Sequence, residues 1–418
     1  MTPQTSTKSQ HVQLLRRKPH SRLSLRIKAI ILRFCMKIGM VLHGYPFPRP
    51  PVPHFTRIIQ PSLPPSSSSS GSLRPPAQSH LSSKSSRLRN ISLHFYTPAN
   101  YQTNSPDGRR WPVIVNFHGG GFTIGRATDD CRWARIAVES TQAVFVSVDY
   151  RLAPEHPFPA AVDDGVDALL YLAANAQAFS LDMSRVSVTG FSAGGNLAVT
   201  VPLRLRHRIM QQQQQQQQSI PDSDRSDDDI GPVDSNQHLL SRNPSALHPY
   251  YNNNNQENPL PQIQFLSIFS WYPILDFVIA RKVRSTRSKN PAKCLPDFLT
   301  TLFDESYLPN LPDRSSPFAS PVHASDDMLH QSLPADIFMY MCEWDMLLEE
   351  GQQFAQRLEA MGKKVRSMMV ASQPHAWDKS VNPLRDQGAV DVLYRQACHE
   401  MGVIFERAAP GGHEAEAV

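Results

Sequence analysis

The sequence predicts an α/β fold with a mostly parallel central sheet and helices on both of its faces. From residue 89 to residue 408, short continuously apolar segments alternate with longer segments of helical periodicity. Strands that are apolar along their whole length are typical of parallel sheets buried on both faces. The composition, with 40% hydrophobic residues, supplies one large core.

The predicted elements follow one another in regular alternation. A first strand, in which Ile91, Leu93 and Phe95 alternate with polar residues, precedes the fully apolar strands. Further strands are predicted at 113–117, 143–150, 186–190, 264–270, 336–342 and 365–371. Helices are predicted at 127–140, 160–174, from 193 onward, at 347–361 and at 389–406.

Composition divides the chain into five parts. The core α/β domain is expected to comprise residues 89–209 and 262–408. Its interruption at 210–261 holds polyglutamine, acidic and polyasparagine runs, which are too poor in apolar residues to build a core and predict a disordered insertion. The other parts are a basic N-terminal segment that includes a cap (1–58), a Ser/Pro-rich linker (59–88) and a flexible tail (409–418).

Charge is distributed unevenly along the chain. The first 106 residues hold 15 Lys and Arg and no acidic residue, although the net charge of the whole chain is only +5. A basic segment of this kind suits nucleic acid or anionic lipid. No nucleic-acid-binding motif accompanies it, so no nucleic-acid partner is predicted.

Residues 23–43 are predicted to form an amphipathic helix. Its apolar residues recur at helical spacing and form one stripe: Ile27, Ile31, Phe34, Ile38 and Val41. The favoured interpretation is a helix that packs on the core domain as part of a lid. That lid is expected to comprise residues 23–58 and 277–315. The alternatives are peripheral contact with a membrane surface and a mitochondrial transit segment.

The cysteines and the apolar segments bear on the compartment. Five cysteines, an odd number without a CxxC pair, indicate a reducing environment and no disulfide framework. No secretory signal is recognisable, and no stretch of 18 apolar residues exists. An intracellular and specifically cytoplasmic protein is therefore expected, with a mitochondrial or peripheral membrane location as the alternatives.

The strongest chemical signal is the segment Gly190-Phe-Ser-Ala-Gly194, which follows a predicted strand and opens a helix. In this context G-x-S-x-G forms a sharp turn that exposes the serine hydroxyl. Ser192 is therefore the candidate nucleophile. The backbone N–H of Ala193, at the helix start, would face an oxyanion formed at the attacked carbon.

A second glycine-rich segment, His118-Gly-Gly-Gly-Phe122, follows the strand 113–117. Its backbone N–H groups are uncovered by side chains and can approach a carbonyl oxygen as negative charge develops. His118 is expected to hold this loop by hydrogen bonding. A phosphate-binding loop is disfavoured because no Walker-type lysine follows.

The base and the acid are assigned by chain order, which in folds with this turn runs serine, acid, histidine. His375 follows the strand 365–371 in a loop, whereas His399 lies within a predicted helix and is expected at the surface. Asp345 follows the strand 336–342 and is the candidate acid. Glu343 lies beside it and remains the rival.

Seven segments resemble the hormone-sensitive-lipase-like family of α/β-hydrolases, which includes many microbial and fungal carboxylesterases. The most specific is DYRLAPEHPFPAAVDD. The seven segments are HGGGF (118–122), DYRLAPEHPFPAAVDD (149–164), GFSAGGN (190–196), YPILD (272–276), SPFASPV (316–322), EWDML (343–347) and PHAW (374–377).

The resemblance implies an α/β-hydrolase fold with a helical cap and a serine esterase activity on small or medium acyl esters, without metal or organic cofactor. By resemblance, the triad is Ser192, Asp345 and His375, and the oxyanion hole is formed by Gly119, Gly120 and Ala193. Four polar residues of the longest motif are interpreted as a structural hydrogen-bonding knot: Asp149, Arg151, Glu155 and His156.

This chain departs from the family pattern at three places. Phe191 stands where the family usually has Asp, His375-Ala-Trp replaces the frequent His-Gly-Phe, and the insertion 210–261 is additional. Two other functions stay open: an amide or lactone hydrolase using the same triad, and a non-catalytic small-molecule receptor, since plant gibberellin receptors resemble this family.

Overall fold

The computed structural model describes residues 19–62, 90–218, 262–382 and 384–409. Within these ranges eight strands form one sheet in the order β1-β2-β4-β3-β5-β6-β7-β8. The first two strands, β1 and β2, are antiparallel to their neighbours, and β3 to β8 are parallel to one another. The strands are Phe55–Ile59 (β1), Ile91–Tyr96 (β2), Trp111–Phe117 (β3), Val144–Asp149 (β4), Leu181–Phe191 (β5), Phe265–Trp271 (β6), Asp336–Cys342 (β7) and Lys364–Val370 (β8).

The α-helices of the described ranges alternate with these strands or form the cap. They are Arg22–His43 (α1), Cys131–Thr141 (α2), Ala160–Ala174 (α3), Ala193–Gln218 (α4), Arg281–Arg287 (α5), Asp297–Tyr307 (α6), Asp326–Ser332 (α7), Leu348–Ala360 (α8) and Gln387–Arg407 (α9).

Each face of the sheet buries its own hydrophobic core. On one face, α3, α4 and α8 pack over residues such as Val115, Val188 and Ile268. On the other, α2 and α9 pack over aromatic residues such as Phe269 and Trp271. The predicted α/β-hydrolase fold, with a mostly parallel sheet covered on both faces, is confirmed.

The start of the sheet differs from the prediction. Phe55–Ile59 was expected in the N-terminal segment and at the start of the linker, yet it is strand β1 and pairs with β2. Its residues Thr56, Arg57 and Ile58 are exposed, as at a sheet edge, so it lacks the continuous apolar run that marks a buried strand.

Helix α4 also runs further than expected. The low-complexity segment was predicted to begin at 210, but the helix continues to Gln218. Glutamine is a good helix former, and extending an existing helix is far easier than nucleating one. The rest of the predicted insertion (219–261), most of the predicted linker (63–88) and the tail from 410 lie outside the described residues.

The cap consists of α1 together with α5 and α6. Helix α1 packs against α6 at one end, and its residue His43 contacts Ser380 at the other, with 3.1 Å between His43 Nδ1 and the Ser380 carbonyl oxygen. Among the helices of the described ranges, none combines the length and the apolar character needed to cross a bilayer.

Candidate active site

Ser192 lies at the sharp turn between β5 and α4. Its φ of +57° is in the left-handed region, where a non-glycine residue is strained. The flanking glycines make this turn possible because a Cβ on Gly194 would lie 1.9 Å from the carbonyl oxygen of Phe117, and one on Gly190 would lie 2.2 Å from that of Gly194. The Ser192 N–H donates to the Trp271 carbonyl over 2.8 Å, which fixes the turn on the end of β6.

The structure brings Ser192, His375 and Asp345 together. His375 Nε2 lies 2.7 Å from Ser192 Oγ, and His375 Nδ1 lies 2.5 Å from Asp345 Oδ2. Asp345 is buried just after β7, and its other oxygen accepts from the Leu347 N–H over 3.1 Å. In this arrangement Nδ1–H donates to the carboxylate, which leaves Nε2 free to take the serine proton.

The contacts of Glu343 differ from those that it would need as the acid of the triad. Its Oε1 pairs with Lys289 Nζ at 2.9 Å, and its Oε2 accepts from the Ser372 N–H over 2.8 Å. The hydrogen bond from Ser372, aided by Lys289, lowers the pKa of Glu343. Glu343 therefore ties the loop after β7 to the loop that carries the histidine, while Asp345 contacts the imidazole.

The glycine loop after β3 passes beside the nucleophile. A Cβ on Gly119 would lie 3.6 Å from the Ser192 Cβ, so the Gly119 backbone is adjacent to the serine. Gly120 has a φ of +113°, and a Cβ there would lie 2.2 Å from the Ile124 carbonyl oxygen. Ala193 is the first residue of α4, so its N–H has no acceptor inside the helix.

His118 holds the glycine loop, as predicted. Its Nδ1 lies 2.7 Å from the Gly119 carbonyl oxygen, and its buried ring stacks on Tyr150 at a centroid distance of 4.2 Å. Tyr150 Oη in turn donates to the His118 carbonyl over 2.8 Å. These contacts fix the backbone direction of the loop next to Ser192.

The longest motif contributes structural contacts. Arg151 forms a buried bidentate ion pair with Asp164, with a shortest distance of 2.6 Å. Glu155 pairs with Arg33 of α1 at 2.8 Å. Asp149 accepts from the Ala127 N–H over 3.1 Å. The motif thus joins β4, α3 and the cap helix.

A buried cluster that was not predicted from the sequence supports the loop that carries His375. Asp378 accepts hydrogen bonds from Tyr272 Oη at 2.5 Å and from Tyr394 Oη. The Tyr272 ring meets the His375 ring edge to face at a centroid distance of 4.9 Å. Only their positions in the sequence could have indicated these residues. Asp378 directly follows the motif PHAW, and Tyr272 is the first residue of the motif YPILD.

Phe191, which departs from the family pattern, contacts Lys379 of the loop that follows His375. The Lys379 ammonium group lies 2.8 Å from Asp130 Oδ1 and 3.8 Å from the centroid of the Phe191 ring. Burial opposes the charge on Lys379, but the carboxylates of Asp130 and Asp378 outweigh it and raise the pKa of this lysine. The residue before the nucleophile therefore contacts the base loop through a cation–π interaction.

In the ranges that the structure describes, no three His, Cys, Asp or Glu side chains are grouped as metal ligands. The site brings together a serine hydroxyl, an imidazole, a carboxylate and a glycine-rich loop. Such a constellation is typical of one class of protein, the serine hydrolases that act through a catalytic triad.

Comparison with known proteins identifies the family. Residues 114–379 match the alpha/beta hydrolase fold family, and the chain belongs to it. The predicted resemblance to hormone-sensitive-lipase-like hydrolases is thereby confirmed.

Several curated relatives share parts of this chain. An AB hydrolase superfamily protein of Schizosaccharomyces pombe is 28% identical over 65% of this chain and 64% of its own length. A Mycobacterium tuberculosis carboxylesterase is 41% identical over 27% of this chain and 34% of its own. The human arylacetamide deacetylase-like 2 is 30% identical over 66% of this chain and 68% of its own. The chain thus spans between about a third and two thirds of these relatives.

A solved structure shares the fold. A hyperthermophilic esterase from Pyrobaculum calidifontis superposes with a TM-score of 0.60 at 22% identity, covering 93% of this chain and 99% of that chain.

Proposed function

We propose that this chain hydrolyses carboxylic esters of small or medium acyl groups through an acyl-enzyme on Ser192. The observation that carries the proposal is the continuous line of hydrogen bonds from Ser192 Oγ to His375 (2.7 Å) and from His375 to Asp345 (2.5 Å). The names of the carboxylesterase relatives support ester bonds as the target.

The proposed reaction has two acyl-transfer steps. Ser192 Oγ attacks the ester carbonyl while His375 Nε2 takes its proton, and the resulting imidazolium is stabilised by Asp345. The negative oxygen would be held by the N–H groups of Gly119, Gly120 and Ala193. His375 then protonates the leaving alcohol, and a water molecule repeats the sequence to release the acid.

The preference for small or medium acyl groups is supported by the cap. Helix α6 lies directly on the glycine loop, because a Cβ on Gly121 would meet the ring of Phe303 at 2.3 Å. Phe122 stacks on Tyr307 of the same helix at a centroid distance of 3.7 Å. The side chains of Phe303 and Tyr307 thus fill the space over Gly121 and Phe122, and the proposed limit on acyl size rests on this packing.

The test is a substrate panel with a constant chromophore. We expect 4-nitrophenyl acetate, butyrate and hexanoate to be turned over at least about tenfold faster, by kcat/KM, than the palmitate, a difference of about 1.4 kcal/mol in activation free energy. Matched 4-nitroanilides and an aliphatic lactone form the control arms.

Two outcomes would contradict the proposal. Faster cleavage of a nitroanilide than of the matching ester would identify an amide hydrolase. Tight binding of a small ester without turnover, by a folded protein, would identify a receptor.

A further inference from the structure

Helix α1 carries an exposed apolar surface, which we call the apolar stripe. It consists of Ile27, Ile30, Ile31, Phe34, Ile38 and Val41. All six side chains are more than half exposed, and Phe34 and Val41 reach 65% and 72%. At about 3.6 residues per turn these positions fall on one side of the helix. Contiguous exposed apolar patches of this kind mark interaction surfaces.

The stripe faces outward because the opposite side of α1 is fixed to the domain. Leu25 and Ala29 are buried on that side. Arg33 donates to the Thr123 carbonyl over 2.8 Å and pairs with Glu155 at 2.8 Å. Arg22 donates to the Ser306 carbonyl over 3.2 Å. The sequence had favoured packing of α1 on the domain, and it does pack there, but with the face opposite the stripe.

Positive charges border the stripe along both edges. By helical geometry, Arg26 and Lys37 flank one edge and Lys28 flanks the other, and all three are exposed. No acidic residue occurs anywhere in α1. Tyr45 and Phe47, exposed in the segment after the helix, add aromatic side chains of the kind enriched at membrane interfaces.

The charges beside the apolar stripe indicate what kind of partner could cover it. Residues 1–18 and 63–89 contain basic but no acidic residues, so neither segment would neutralise these edges. Residues 219–261 and 410–418 do contain acidic residues, but both segments are too poor in apolar residues to cover the stripe. A second copy would set two cationic faces against each other. An anionic lipid surface instead supplies both an apolar layer for the stripe and negative headgroups for its edges.

We propose that α1 docks this protein on anionic lipid membranes, lying in the plane of the surface with the apolar stripe inserted below the headgroups. The docking site is separate from the proposed catalytic residues. It therefore stands or falls independently of the proposed esterase activity, and a Ser192→Ala protein is expected to bind vesicles as the unmodified chain does.

The test is co-sedimentation of the full chain with vesicles of phosphatidylcholine, with and without phosphatidylserine. We expect binding to the anionic vesicles and at least tenfold weaker binding to the neutral ones. A double change, Ile31→Ser with Phe34→Ser, should weaken binding at least about tenfold, because two large apolar groups no longer insert. Lys28→Gln and Lys37→Gln should each cost about fivefold.

The matched control is Val392→Ser with Val403→Ser on α9, where the exposed fractions (52% and 45%) resemble those of Ile31 and Phe34 (57% and 65%). This protein should bind vesicles like the unmodified chain, and thermal melting should show that every variant is folded. Equal loss in the control and stripe variants would overturn the proposal. So would an absence of binding to anionic vesicles, or a dimer that dissociates when the stripe is changed.

Discussion

Replacing Ser192 with alanine is expected to lower kcat for 4-nitrophenyl butyrate on the order of a millionfold, the size of effect known for the nucleophile of subtilisin. The reason is that His375 Nε2, which lies 2.7 Å from Ser192 Oγ, would have no hydroxyl to deprotonate. The fold should persist, because the turn is shaped by Gly190 and Gly194 and by the hydrogen bond from the Ser192 N–H, which alanine retains. Steady-state kinetics and thermal melting together measure both effects.

The matched control is Ser184→Ala, which removes an exposed hydroxyl near the opposite end of β5. Its kcat should stay within about twofold of the unmodified protein, since surface substitutions usually change little. Retention of activity within about tenfold in a folded Ser192→Ala protein would remove Ser192 from the mechanism.

The second large effect concerns the acid. Asp345→Asn should reduce kcat on the order of ten-thousandfold, as the equivalent change does in serine proteases, because the amide favours the wrong imidazole tautomer. The expectation follows from the 2.5 Å contact between Asp345 Oδ2 and His375 Nδ1.

Glu343→Gln is the matched comparison, two residues away. It should cost less than about tenfold, because Glu343 contacts Lys289 and Ser372 rather than the base. The reverse ranking of the two variants, measured between neutral and mildly alkaline pH, would make Glu343 the acid and contradict the assignment.

The sheet and the sharp turn at Ser192 were predictable because their sequence patterns are local. Buried parallel strands must be apolar along their length, so the predicted strand 336–342 coincides with β7. The turn at Ser192 needs glycines at fixed offsets, which are visible in the sequence. Asp345 and His375 could be placed because each follows a strand whose carboxyl end lies at the same edge of the sheet.

Features that depend on contacts between residues far apart in the sequence were not predictable. β1 pairs with β2 through residues far apart in the chain, and its polar edge residues conceal it. The contact of Lys379 with Phe191 joins two loops whose proximity arises only in the folded chain. The apolar stripe of α1 had the right period, but periodicity does not reveal that Arg22 and Arg33, rather than the stripe, hold the helix on the domain.

Covalent labelling tests the central claim most directly, because it reports the nucleophile itself. A 4-nitrophenyl alkylphosphonate should add to the protein with release of nitrophenolate, giving one adduct per chain by intact mass. Peptide mapping should place that adduct on Ser192, and the Ser192→Ala protein should stay unmodified. An adduct on a different residue, or continued ester hydrolysis by a protein that the reagent leaves unlabelled, would contradict the account.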